Sequence, residues 1–146
     1  MRAESPPLNI VKLAVGVRDA AHLRALQAER LGREPPLRHR TRNFPRRAAE
    51  IAGKGSLFWV IGGLLRVRQR ILDVIEDRWQ DGSACAAFVL DPALVLVAPR
   101  VTKPFQGWRY LSQADAPPDV AAGRAAAGAA RLPEVLRQEL AALCLL

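Results

Sequence analysis

The chain has 146 residues, half of them apolar, and 22 basic against 14 acidic residues leave a net charge of +8 at pH 7. At roughly 100–200 residues per domain this is one domain, long enough to bury a core without disulfides or a metal, which excludes global disorder. No apolar run approaches the roughly 20 residues of a membrane-crossing helix, so no membrane partner is expected.

Residues 1–7 read as a flexible polar leader, lack the apolar stretch of a signal peptide and point to the cytoplasm. Residues 8–120 read as a single α+β domain. Leu8 to Val17 is β-branched-rich and predicts a strand with Leu8, Ile10 and either Leu13 or Val11 inward. Asp19 offers an N-cap, and Ala20 to Leu31 predicts an amphipathic helix with Leu23, Leu26 and Leu31 on one face and Gly32 as its stop. After Glu34-Pro35-Pro36, Leu37 to Arg42 predicts an extended segment whose alternation sets Arg38, Arg40 and Arg42 on one side. Pro45 opens a short helix to about Ala52, ended by Gly53.

Ser56 to Ile61 is a short apolar run between glycines and predicts a buried strand. Leu64 to Ile75 suits a helix by composition. Its period of two, with Leu65, Val67, Gln69 and Ile71 against Arg66, Arg68 and Arg70, favours a strand. Asp81-Gly82 marks a turn. Ala84 to Leu90 and Ala93 to Ala98 follow as strands, the second ended by Pro99, and Phe105 to Leu111 as a strand or packed loop. Residues 121–146 read as a loose connection, beginning in the Ala-, Pro- and Gly-rich stretch from Ala114, and a C-terminal helix from Pro133. Short strands with helices mainly near one end do not alternate as in a doubly wound fold, so the expected architecture is a small mixed β-barrel with flanking helices.

The charge is concentrated. Between Arg33 and Arg70 stand ten basic residues and two acids, Glu34 and Glu50, while the rest of the chain carries 12 of each sign. Such clustering is the footprint expected for a polyanion. A GC-rich genome would explain arginine in place of lysine, though not the clustering. Arg66, Arg68 and Arg70 on one strand face would stand about 6.5–7 Å apart, near phosphate spacing along a single strand. They need anions, either phosphates or the chain's own Glu50, Asp73 and Glu76. Trp59, Trp79, Trp108 and Tyr110 are the candidate stacking surfaces.

Other chemistry is thin. Gly53-Lys54-Gly55-Ser56 lacks the spacing of a phosphate-binding loop and precedes a strand, so it reads as a helix stop and turn. His39 has no nucleophile or carboxylate tied to it by spacing and reads as part of a solvated basic segment. No serine lies in a nucleophile-elbow arrangement. Asp73, Glu76, Asp77 and Asp81 read as a solvated or arginine-pairing face. Cys85 and Cys144, with His22 and His39, form no metal-ligand spacing, so no metal or cofactor is expected and both thiols read as buried small hydrophobes.

Several segments taken together resemble a family of small bacterial proteins catalogued as domain of unknown function 1489. They are Leu8-Asn9-Ile10-Val11-Lys12-Leu13, Thr41-Arg42-Asn43-Phe44-Pro45-Arg46-Arg47 leading to Glu50, Gly55-Ser56-Leu57-Phe58-Trp59-Val60-Ile61, Arg68-Gln69-Arg70-Ile71-Leu72, Val89-Leu90-Asp91-Pro92 and Pro104-Phe105-Gln106-Gly107-Trp108-Arg109-Tyr110-Leu111. This chain has Gly62-Gly63 where that family usually has Lys-Gly. The resemblance implies the domain's extent and a cytosolic bacterial origin, and no activity. Thr41-Arg42 and Pro45-x-Arg47 before a short helix, a glycine turn and an apolar strand are also similar in order to pseudouridine-synthase-and-archaeosine-transglycosylase-like barrels with their ASCH and EVE relatives. That likeness implies an RNA- or modified-base-binding barrel by analogy of fold.

The resulting expectation is a nucleic-acid-binding module, RNA ahead of DNA, with Arg40, Arg42, Arg46, Arg47, Arg66, Arg68 and Arg70 as footprint and Trp108 or Trp59 as stacking surface. The alternative is an enzyme acting on a phosphorylated or nucleotide-like molecule in a pocket lined by the same arginines and Phe105 to Tyr110. A protein-interaction module using the C-terminal helix is a third.

Overall fold

A computed structural model of the chain describes residues 6–120. Its elements are β1 (Leu8–Leu13), α1 (Ala20–Arg33), β2 (Arg38–Thr41), α2 (Ala48–Ile51), β3 (Ser56–Ile61), β4 (Leu64–Arg78), β5 (Ala84–Leu90), β6 (Val95–Val101) and β7 (Trp108–Ser112). The expected C-terminal helix, most of the loose connection before it, and Cys144 lie outside the described residues.

β4 is the spine. Its first half pairs antiparallel with β3 on one side and β6 on the other, and its second half pairs with β5. β1 adds to β3 in parallel and β7 to β1 antiparallel, so the path runs β2-β5-β4-β3-β1-β7 with β6 branching from β4. The strand reading of Leu64 to Ile75 therefore holds and β4 runs on to Arg78, although its alternation slips between Ile71 and Asp73, where Leu72 and Asp73 are both exposed.

The α+β class is as expected, but the sheet does not close into a barrel. β2 and β7, the two ends of the path, share no backbone ladder and are joined by side chains. Trp108 Nε1 donates to Thr41 Oγ1 at 3.0 Å, and the backbone N–H of Arg47 donates to the Tyr110 hydroxyl at 3.3 Å. β2 is only four residues long, and the chain turns away at Asn43-Phe44-Pro45 before a ladder with β7 can form.

Side chains of β3 alternate between two apolar layers. Leu57, Trp59 and Ile61 face the main core, shared with Ile10, Leu23 of α1, Ile51 of α2 and Phe88, whereas Phe58 and Val60 meet Val11, Leu65 and Val97 on the other face. β1 is thus buried on both faces rather than one. Asp19 caps α1 as expected, its carboxylate accepting from the backbone N–H of His22 at 2.8 Å. α1, however, continues through Gly32 to Arg33. The stop is Glu34, which leaves the helical region at φ −147°, ψ 75°, as the proline that follows favours, before Pro35-Pro36. β6 likewise runs through Pro99, which falls where its pairing with β4 slips between Leu65 and Val67, a position that tolerates a missing N–H.

Candidate functional site

The arginine cluster is largely neutralised from within. Arg38 and Arg40 share one side of β2, as expected, and both converge on Asp77 of β4 and Glu34: Asp77 Oδ2 accepts from Arg38 Nε at 2.7 Å and Arg40 Nε at 3.1 Å, and Glu34 Oε1 from their Nη2 atoms at 2.7 and 2.9 Å. Hydrogen bonding by Arg40, reinforced by both positive charges, holds the Glu34 carboxyl below its ordinary range.

The row on β4 is not three outward guanidinium groups. Arg66 is buried, and its Nε and Nη2 donate to the Ile61 carbonyl at 3.0 and 2.8 Å, holding the β3–β4 turn. Arg68 donates in a fork to both oxygens of Asp119 at 2.6 Å and to Ser56 Oγ at 3.0 Å. Asp119 is delivered there by a strap along β6, in which Ala98 N–H donates to Pro118 and Val120 N–H to Leu96. Only Arg70 is exposed, donating to the Gly53 carbonyl at 3.2 Å. The register that puts Arg66 and Arg68 on β4 also puts their partners within reach.

Trp108 and Trp59 are committed to structure as well. Trp108 lies edge-on to Phe88 and Tyr110 in addition to its bond to Thr41, and Trp59 is 5 % exposed. Gly107 has φ +69° in open space, so its backbone conformation, and no crowding, demands glycine. Arg42 lies beside Phe44 and Cys85, Arg68 in a groove with Lys54 and Asp119, and Trp108 at the seam between β2 and β7.

Two groupings remain open to a ligand. The first surrounds α2. Arg46 and Arg47 precede it and Lys54 follows it, and Arg70 reaches the carbonyl beside Lys54. Arg47 pairs with Glu50 through two bonds of 2.7 Å, and its guanidinium lies 5.6 Å from the centroid of the Tyr110 ring, which is 38 % exposed. Arg46, Lys54 and Arg70 form no ion pair with a described carboxylate, and Glu50 is the only acid from Arg42 to Arg70.

The second is a cleft of about 220 Å³ between α1 and the end of β1, lined by Lys12, Gln27, Arg30, His39 and Trp59 with Leu13, Val17, Leu23 and Leu26 as apolar wall. His39 is not a solvated residue of a basic segment. The alternation that sends Arg38 and Arg40 outward sends it inward, edge-on to Trp59 at 5.5 Å between centroids. Burial foremost, and then the charges of Lys12 and Arg30, push its pKa down to about 4, so it is a neutral imidazole at pH 7. Below it lies a closed amide network. Gln69 Oε1 accepts from Trp59 Nε1 at 2.8 Å and Gln27 Nε2 at 2.7 Å, while Gln69 Nε2 donates to Gln27 Oε1 and the Asp91 carbonyl. Sequence reasoning missed Lys12 and Arg30, whose surroundings are set by α1 crossing the sheet. The available signals were a lysine inside an apolar strand and a glutamine on the apolar face of α1.

Among the described residues no three His, Cys, Asp or Glu side chains gather as metal ligands, and no helix is long and apolar enough to cross a membrane. No curated protein and no solved structure matches the chain. A family model does, over residues 10–146, extending the likeness carried by segments such as Phe105 to Leu111 through nearly the whole chain. The chain belongs to the family described as protein of unknown function DUF1489.

Proposed function

We propose that the protein is a nucleic-acid-binding module that takes single-stranded RNA ahead of DNA, with the patch around α2 as its footprint. Arg46, Arg47, Lys54 and Arg70 would contact phosphates and Tyr110 would stack on a base. The observation that carries this reading is the exposed Tyr110 ring, held by its hydroxyl and by Arg47 on a surface where Arg46 and Arg70 form no ion pair with a described carboxylate. Base-on-aromatic stacking beside a basic surface is how single strands are held without sequence readout. Four-residue α2 is too short to read a duplex major groove, which favours unstacked RNA. Compared with the sequence-based footprint, Arg46, Arg47 and Arg70 are retained. Arg40, Arg66 and Arg68 are spent on internal partners, Arg42 stands apart, and Tyr110 takes the place of Trp108.

Binding of a single-stranded RNA, followed by fluorescence anisotropy against salt, should give a log–log slope of about −0.7 per phosphate contacted, so three to five contacts give roughly −2 to −3.5. Replacing Arg46, Lys54 and Arg70 together by Gln should reduce the slope by about 2. The same loss of charge at Arg18, Arg24 and Arg33 should do much less. Tyr110→Leu should weaken binding about 10-fold at constant slope, and Tyr110→Phe, which keeps the ring and loses only the aligning hydroxyl, should weaken it much less. Equal losses from both charge triples, or no binding by the unmodified protein at about 50 mM salt, would overturn the reading.

A further inference from the structure

We propose that the cleft between α1 and the end of β1 is a second, separate site that binds a compact phosphomonoester, with Lys12 and Arg30 on the phosphate and the apolar wall against the organic body. Four observations converge. Neither Lys12 nor Arg30 forms an ion pair with a described carboxylate, and no acid is among the described residues that line the cleft. The two cations come from different elements, Lys12 from β1 and Arg30 from α1, yet both act on the same imidazole, so all three groups address one volume. The His39 ring makes no hydrogen bond to a described residue and is held in place by its edge-on contact with Trp59. Finally, Gln27 and Trp59, the other polar side chains of the lining, are fixed from behind by Gln69.

Charge and size choose the ligand class. Two cationic side chains match the near-dianion that a phosphomonoester becomes above a second pKa of about 6, and the neutral His39 adds a hydrogen-bonding group without a third charge. Arg30 presents the planar fork suited to phosphate oxygens and Lys12 a point charge. A volume of about 220 Å³ is below the roughly 300–1,000 Å³ of sites for drug-sized ligands, so the cleft suits one sugar-phosphate or the end of a chain and not an oligomer. A carboxylate would leave one cation unmatched in a partly apolar cleft.

The phosphomonoester could be free or could be the 5′ end of an RNA. Calorimetric titration of the full chain with ribose 5-phosphate, adenosine 5′-monophosphate, inorganic phosphate and adenosine should show binding by the two phosphate esters, weaker binding by inorganic phosphate and none by adenosine. Lys12→Gln and Arg30→Gln should each weaken the esters about 10-fold, and Leu26→Trp, which fills the cleft, should abolish binding. Two RNAs of one sequence, with a 5′-phosphate and a 5′-hydroxyl, separate the sources. A preference for the phosphate that Arg30→Gln removes identifies an RNA end, and ester binding without that preference identifies a free metabolite. If neither ester nor the 5′-phosphorylated RNA binds in a way that the Lys12, Arg30 and Leu26 variants weaken, the site does not exist. That failure would leave the α2 patch untouched, because the charge triple tested there contains none of these residues.

Discussion

Gly55→Ala should cost the fold about 3 kcal/mol or more, at or beyond the upper end of ordinary overpacking. A Cβ at this position would lie 1.9 Å from the carbonyl oxygen of Leu8 and 2.8 Å from its carbon. Both are backbone atoms of β1, so no side-chain rotation relieves the clash. β1 would have to retreat from β3, straining the parallel pairing from Ile10↔Leu57 to Leu13↔Val60 and the 2.9 Å bond from Ser56 N–H to Asn9 Oδ1. Leu8 and Ile10 would leave the core with it. Gly32 provides the contrast: a Cβ there meets nothing within 4 Å, and the residue is helical, so Gly32→Ala should stabilise by about 0.5–1 kcal/mol. Urea unfolding of both variants checks the pair. A loss below about 1 kcal/mol for Gly55→Ala would mean that β1 and β3 are not held this close. The same contact gives Gly53-Lys54-Gly55-Ser56 a structural reason: Gly53, at φ +69°, turns the chain out of α2, and Gly55 lets it pass under β1.

Acid should destabilise the protein through His39 before its carboxylates titrate. The folded pKa of about 4 lies below the 6.5 of an unstructured histidine, so the unfolded chain takes up the proton first as pH falls. The contribution of His39 is therefore fully present above about pH 6.5, is lost progressively from there to about pH 4, and loses nothing further below. At 1.36 kcal/mol per unit the whole loss is about 3 kcal/mol. Glu34, Glu50 and Asp119, held low chiefly by hydrogen bonds from Arg40, Arg47 and Arg68, have folded pKa values below ordinary carboxylates at 4.5 or 3.8. Their share is lost at lower pH. His39→Phe keeps an aromatic edge against Trp59 and removes the proton site. Urea unfolding at pH 7.5, 6 and 5 should show the wild-type chain losing stability that the variant retains. Parallel curves for the two proteins would contradict a neutral, half-buried His39.

Much of the local structure was legible in the chain itself. Asp19 announced α1 because a short acceptor before an apolar periodicity satisfies the first orphan N–H groups. Period two identified β4 against a helical composition, because only a strand separates Val67, Gln69 and Ile71 from Arg66, Arg68 and Arg70. It also put Arg38 and Arg40 on the side opposite His39. What periodicity assigns is a face, whereas burial and partners depend on which elements are laid against that face. Lateral pairing with β5 brings Asp77 of β4 to Arg38 and Arg40 of β2, and pairing of the strap with β6 brings Asp119 to Arg68, so a row that reads as free charge becomes a set of ion pairs. The barrel fails to close for a similarly non-local reason, since closure would require a ladder between β2 and β7, which are far apart in sequence and are linked through the Trp108–Thr41 side-chain bond, with Tyr110 bonded to Arg47 beyond β2. Lys12, Arg30 and His39 each belong to a different element, and only the crossing of α1 over the ends of β1, β2 and β3 turns three separate side chains into one electrostatic site.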